Sequence, residues 1–309
     1  MLVGGQYMLF VSVFMCVFFL GYLAQTTGLC MVRGVNEWKA GNKEFLLAIL
    51  FSGVLAWVAA YFSYLSDIKF NFWTHAISGW FVLGGFIFGL GAALNKSCGV
   101  STLSRLARGD ARMFATILGW LVGWVILAYW PPKIEVVRST LPGEISYLPL
   151  ILVTLAITVW ALLGDKKRKT LWFGMMGIGL LSGFIYIYQP RWPPSALLHQ
   201  ISLALIDGKE NSWPSLEQYL FFIALLLGMF LAAWRTKRFI FIPASFKYLS
   251  EHLLAGTLMG VGASIAMGGN SVQLLLALPT LSPSGFGAIA GMLLGIWGGY
   301  YIIKCCKWD

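Results

Sequence analysis

Charge is scarce in this chain. Asp, Glu, Lys and Arg make up only 11% of its 309 residues, and just 12 are acidic. A soluble domain carries about 25% charged residues, so a water-facing fold is excluded. Histidine is scarcer still: His75, His199 and His252 lie scattered near the ends of apolar runs. That leaves no metal site and no Ser-His-Asp arrangement. The five cysteines (Cys16, Cys30, Cys98, Cys305, Cys306) show neither zinc nor haem spacing. An odd number also cannot close a full disulfide framework within one chain. The apolar runs do not alternate with polar residues, which excludes a membrane β-barrel. No basic stretch precedes the first run and no clear A-x-A site follows it, so it reads as a first span rather than a removed signal peptide. No residues present themselves for catalysis or for a cofactor.

What the chain has is apolar length. It is 59% hydrophobic, with a mean hydropathy of +0.77. This predicts an all-α polytopic membrane protein of about nine spans of ~20 residues. The spans fall near 7–30, 44–65, 80–95, 113–130, 146–163, 171–188, 216–234, 251–267 and 284–303. Segment 196–206 is apolar but too short to cross, a re-entrant or interfacial candidate. Net charge is +10, yet the basic residues sit in loops and argue for membrane orientation, not for nucleic acid. Of the 22 lysines and arginines, all but Lys69, Lys133, Arg138, Arg191 and Lys209 fall on one side of this layout. The positive-inside bias then places the N-terminus outside and the C-terminus in the cytoplasm.

The chain is organised around residues 84–110. An apolar helix with Gly85, Gly89, Ala92 and Ala93 on one face runs into Asn95, Lys96, Ser97 and Cys98, breaks at Gly99, and restarts near Ser101. A helix N-terminus carries partial positive charge and unsatisfied N–H groups, so a thiol and an anion-binding surface coincide here. Arg105 and Arg108 follow closely. One fixed offset lays Gly85, Gly89, Gly91 and Ala92 on Gly256, Gly260, Gly262 and Ala263, and Cys98-Gly99 on Gly269-Asn270. After one residue of slip, Phe114, Gly119 and Gly123 meet Phe286, Gly291 and Gly295. This predicts a single transmembrane domain over 1–309, with a first repeat at 1–132, a linker span at 133–170 and an inverted second repeat at 171–309, as in many secondary transporters. The breaks at Cys98 and at Gly268-Gly269-Asn270 would open from opposite sides and share a midplane path. Irregular backbone at that depth survives only where protein or a polar cavity covers it.

Cys98 is the sharpest candidate, with Asn95, Ser97, Gly99 and Ser101 beside it. Cys30 lies at the same membrane side. Asn270 is read either as an amide donor into the path or as a helix cap.

At Gly89-Leu-Gly-Ala-Ala-Leu-Asn-Lys-Ser-Cys98-Gly and Gly260-Val-Gly-Ala…Gly-Gly-Asn270, with Gly28-Leu-Cys30 before them, the chain resembles the YeeE/YedE family of sulfur and thiosulfate transporters. The resemblance implies an hourglass of nine spans with re-entrant helices from both faces of a bacterial inner membrane. It also implies uptake of a small sulfur-containing anion, thiosulfate first, passed along by cysteines. Cys30 and Cys98 are the matching positions. Many relatives carry Gly-Cys where this chain has Gly269-Asn270. Two other readings stand beside the permease. One is a persulfide-carrying subunit, with Cys98 accepting sulfur from a cytosolic TusA-like carrier protein. The other is a non-transporting membrane subunit.

Overall fold

The computed structural model describes residues 2–66, 74–132, 137, 147–209 and 212–306. Lys69, Lys133 and Arg138, and most of the loops around them, lie outside the described residues. Within them the fold is helical, and an isolated bridge pairs Asp110 with Ile242.

The helices run α1 (Leu2–Thr27), α2 (Met31–Lys39), α3 (Glu44–Leu50), α4 (Ala56–Leu65), α5 (Gly79–Leu94), α6 (Gly99–Ala107), α7 (Arg112–Tyr129) and α8 (Tyr147–Leu162). They continue through α9 (Lys166–Tyr188), α10 (Pro194–Asp207), α11 (Leu216–Arg235), α12 (Phe246–Ile265), α13 (Asn270–Val272) and α14 (Pro283–Cys306). A π-helical turn, Gln273–Ala277, extends α13. Six stretches among the described residues are long and apolar enough to cross a bilayer: Tyr7–Lys39, Gly79–Ala107, α7, α9, α11 and Pro283–Cys305. α12 and Asn270–Ala277 reach that length and apolarity only taken together, and they are bent by 42° at the break between them. The protein is therefore an all-α polytopic membrane protein.

One expected span is not continuous. The stretch 44–65 is two helices, α3 and α4, joined by turns over 51–55. The cause is crowding. A Cβ on Gly53 would stand 2.6 Å from the carbonyl oxygen of Leu274 and would overlap Pro279. The Ser52 carbonyl abuts Gly179 of α9. The short apolar segment expected at 196–206 is α10, with Pro194 in its first turn, where its missing N–H costs nothing.

Packing is dominated by four long helices. α5 lies along α14, α7 along α12, and α5 also crosses α12. Glycines set these contacts. Gly85 and Gly89 of α5 meet the carbonyls of Ala288 and Met292. Gly256 and Gly260 of α12 meet those of Thr116 and Trp120. Gly119 and Gly123 face α12, and Gly291 and Gly295 face α5, in the same manner. Any side chain there would strike backbone, so small residues bring the helices together, the usual route where lipid offers no hydrophobic drive. Outside this block, α1 packs on α11 and α9, α4 on α9, and α10 on α7.

Candidate functional site

The site is built where helices stop. At the end of α5 the chain turns through Lys96 at φ 54°, and at the end of α12 through Met267 at φ 55°. Left-handed backbone is uncommon for a residue with a side chain, and here it recurs at matching places. The bonds that close the two ends also match. Ser97 N–H donates to the carbonyl of Ala92 at 3.0 Å, and Gly268 N–H to that of Ala263 at 2.7 Å. This 6→1 closure caps the helix and redirects the chain. Cys98 (φ −85°, ψ −178°) and Gly269 (φ −75°, ψ −177°) then stand as N-caps of α6 and α13. Asn270 is therefore the first residue of α13, not its cap. A third break, with Gly28 at φ 81°, leads to Cys30, the N-cap of α2.

These breaks meet. Cys98 is fully buried. Its Sγ lies 3.9 Å from the carbonyl oxygen of Leu29, beside Cys30. It accepts from Asn270 Nδ2 at 3.4 Å and from the Ser101 hydroxyl at 3.4 Å. The Ser101 Oγ also accepts the Cys98 backbone N–H at 2.9 Å and pairs with the Ser97 hydroxyl at 2.7 Å. Cys30 Sγ accepts the Arg33 N–H at 3.5 Å, and the Cys30 and Cys98 thiols are neighbours, both free of disulfide. A Cβ on Gly99 would be 2.9 Å from Asn270 Oδ1, so α6 and α13 touch tip to tip. Asn270 Oδ1 is buried without a hydrogen-bond partner. Cys30, Cys98, Gly99, Ser101, Gly269 and Asn270 thus share one waist, with Gly268 just behind it.

Asn95 is placed differently. Its Nδ2 donates to the Ser97 carbonyl (3.0 Å) and to Thr102 Oγ1 (2.8 Å). Its Oδ1 accepts from Thr116 Oγ1 (2.7 Å) and lies 2.7 Å from His252 Nδ1. With every polar atom engaged, Asn95 ties α5, α6, α7 and α12 together and supports the waist from behind. Below it, Asp110 joins Arg105 (2.7 Å) and Arg112 (2.8 Å) between α6 and α7. Burial pushes the Asp110 carboxyl up, but the hydrogen bonds and charges of Arg112 and Arg105 outweigh it and hold it below the ordinary carboxylate value.

A family signature for sulphur transport matches residues 26–186 and 168–298. The chain belongs to the sulphur transport family. It is also similar to the thiosulfate transporter TsuA of Escherichia coli K12, 22% identical over an alignment of 352 residues that covers 96% of each chain. Membership in this family marks a transporter and not an enzyme. The cysteine-bearing motifs around Cys30 and Cys98 both lie inside the matched residues.

A small cavity lies beside Gly99. The cavity lined by Gly99, Trp120, Trp192, Pro194, Ser271 and Leu275 measures about 20 Å³. That is room for roughly one water molecule. A separate cavity of about 390 Å³ is flanked by Trp124, Ser195, His199 and Gly268, and it shares Ala196 and His199 with one of about 750 Å³ that reaches Arg191. His199 lies 4.6 Å from Trp124 in a stacked arrangement. Sequence reading missed Ser195, Trp192 and His252. An isolated serine, tryptophan or histidine carries no motif, and only the fold brings each to the waist or its support.

Proposed function

We propose that the protein is a permease for a small sulfur-containing anion, thiosulfate first, which passes through the waist formed by α2, α6 and α13. The observation that carries this reading is the meeting of two free thiols and an amide at the tips of interrupted helices. Thiosulfate has one soft sulfur end and one oxyanion end. Cys30 and Cys98 suit the soft end. The first-turn N–H groups of α6 and α13 suit the oxygens, because a helix start carries unsatisfied donors and partial positive charge. The name of the Escherichia coli relative supports the same substrate.

The cavity beside Gly99 has room for about one water, so passage requires the waist to widen. The halves 1–132 and 171–309 are inverted repeats about the linker span at 133–170, a reading supported by paired glycine contacts and by the matching turns at Lys96 and Met267. The short helices then approach as re-entrant elements from opposed leaflets. The charge bias supports a bacterial inner-membrane setting, N-terminus outside and C-terminus cytoplasmic. Sulfur handover to a TusA-like carrier comes second, because Cys98 is fully buried and out of reach of a partner's thiol.

The test is flux into liposomes holding the purified full-length protein, offered thiosulfate, sulfite, sulfate and sulfide. Thiosulfate should enter fastest, and Cys98→Ala should abolish the preference for it over sulfate. Equal flux of all four ions, or thiosulfate flux untouched by C98A, would refute the reading.

A further inference from the structure

Buried hydrogen-bond donors without partners are uncommon, and each asks for an explanation. Several in this protein lie on α7 or around the start of α10, which pack together. The indole Nε1 atoms of Trp120, Trp124 and Trp192 and the Ser195 hydroxyl are all buried without a partner, and all four residues are at most 4% exposed. Trp120 and Trp192 line the small cavity beside Gly99, while Trp124 and Ser195 line the 390 Å³ cavity. An indole N–H can only donate. A row of idle donors is suited to an incoming acceptor, and among the described residues no Asp or Glu borders this cavity to repel an anion. Ser195 stands in the first turn of α10, a helix of 14 residues. A Cβ on Gly269 would lie 3.7 Å from the Ser195 Cβ, so the hydroxyl is one step from the Asn270 tip. Farther out, Arg191 borders the 750 Å³ mouth. The one carboxylate there among the described residues, Asp207, is held by the Ser212 hydroxyl (2.6 Å) and by Lys209 (3.4 Å).

We propose that the cavity between Trp124, Ser195 and His199 is a second, oxyanion-holding subsite, loaded before the waist, with the Ser195 hydroxyl as its chief donor and Arg191 as the charge at its rim. It rests on the permease reading and deepens it. The oxygens of thiosulfate are held here while the sulfur end leads toward Cys98. The site recognises a small tetrahedral oxyanion, so sulfate enters it as well, and discrimination falls to the thiols beyond. Ser195 is a binding residue for the ion and not part of the fold's support, since its hydroxyl bonds to nothing in the protein.

The test uses the full-length protein in liposomes, with uptake of radiolabelled thiosulfate measured across concentrations. Ser195→Ala should raise the half-saturating concentration roughly tenfold, the loss of one hydrogen bond to an ion, with the maximal rate nearly unchanged. Its melting temperature should hold or rise, because an orphan hydroxyl has been removed. Arg191→Gln should raise half-saturation less and flatten its dependence on salt. Normal wild-type flux with half-saturation unchanged in S195A overturns the subsite and leaves the permease standing. Absent wild-type flux overturns the permease. Equilibrium binding of thiosulfate and of sulfate to the purified protein then decides the subsite alone: weakening of both by S195A supports it, and unchanged binding rejects it.

Discussion

Replacing Gly99 by alanine places a methyl carbon 2.8 Å from Cη2 of Trp120 and 2.9 Å from Oδ1 of Asn270. Carbon atoms rest at about 3.5–4.0 Å, so the overlap with the indole is about 0.7 Å or more. Trp120 has little room to retreat: it is 2% exposed, and its ring meets Phe88 edge-on at 6.4 Å. Overpacking of this kind costs about 1–3 kcal/mol. The backbone itself accepts alanine, since Gly99 begins α6 in helical conformation, and helix propensity returns up to about 1 kcal/mol. Folding should therefore change little. Transport should change much, because the methyl occupies the waist that the ion must widen. Spent on that step, 1–3 kcal/mol slows transport about five- to 150-fold. Gly177→Ala is the control, as its methyl would meet only Leu23 Cδ1 at 3.4 Å, an ordinary contact. The assay is initial uptake of labelled thiosulfate per folded molecule, with melting followed in detergent. Uptake by G99A at the wild-type rate, with an unchanged melting temperature, would show that the path does not run past Gly99.

Asn95→Ala leaves Thr102, Thr116 and His252 short of a partner. At about 0.6 kcal/mol for each bond within a membrane, the loss is about 2 kcal/mol, so the melting temperature should drop by several degrees while uptake per folded molecule holds. Asp110→Asn tests the ion cluster through pH. The folded carboxyl titrates below its unfolded value, so its contribution is present above about pH 3.9 and fades as pH falls through the folded value. The melting gap between wild type and D110N should hold from about pH 8 to 5 and close only in stronger acid, where a gap that shrinks near neutrality would contradict the assignment. Gly85→Val and Gly256→Val push a branched side chain into the carbonyls of Ala288 and Thr116. Matched loss of folded protein in membranes is expected for the two, and survival of one alone would argue against equivalent halves.

The breaks at Cys98 and Gly269 were legible because glycine, cysteine and asparagine interrupt long apolar runs, and because the same glycines recur at one offset. The glycines' contacts were implicit in that recurrence. The interruption at 51–55 was not legible, since Ser52 and Gly53 sit inside an unbroken apolar stretch and the chain bends there only to clear Pro279 and Gly179. Asn95 was found, but its partners were not. Nearness in sequence to Cys98 suggested the path, whereas its partners Thr116 and His252 arrive from α7 and α12. Ser195 escaped notice for a similar reason: only the fold sets it against Gly269.

The glycine contacts among α5, α7, α12 and α14 have a mechanical consequence. Main chain seated directly on main chain offers no intervening side chains to slide or ratchet, so this quartet behaves as a fixed frame. The starts of α6 and α13 are moored to it, one through Asn95 and the other through Gln273, whose Nε2 donates to the carbonyl of Ala266 at 2.8 Å. Rocking of two rigid halves would have to tear this frame apart. Within such a frame the permease reading leaves widening to small rotations of the Cys98 and Asn270 side chains, and it predicts turnover paced by them.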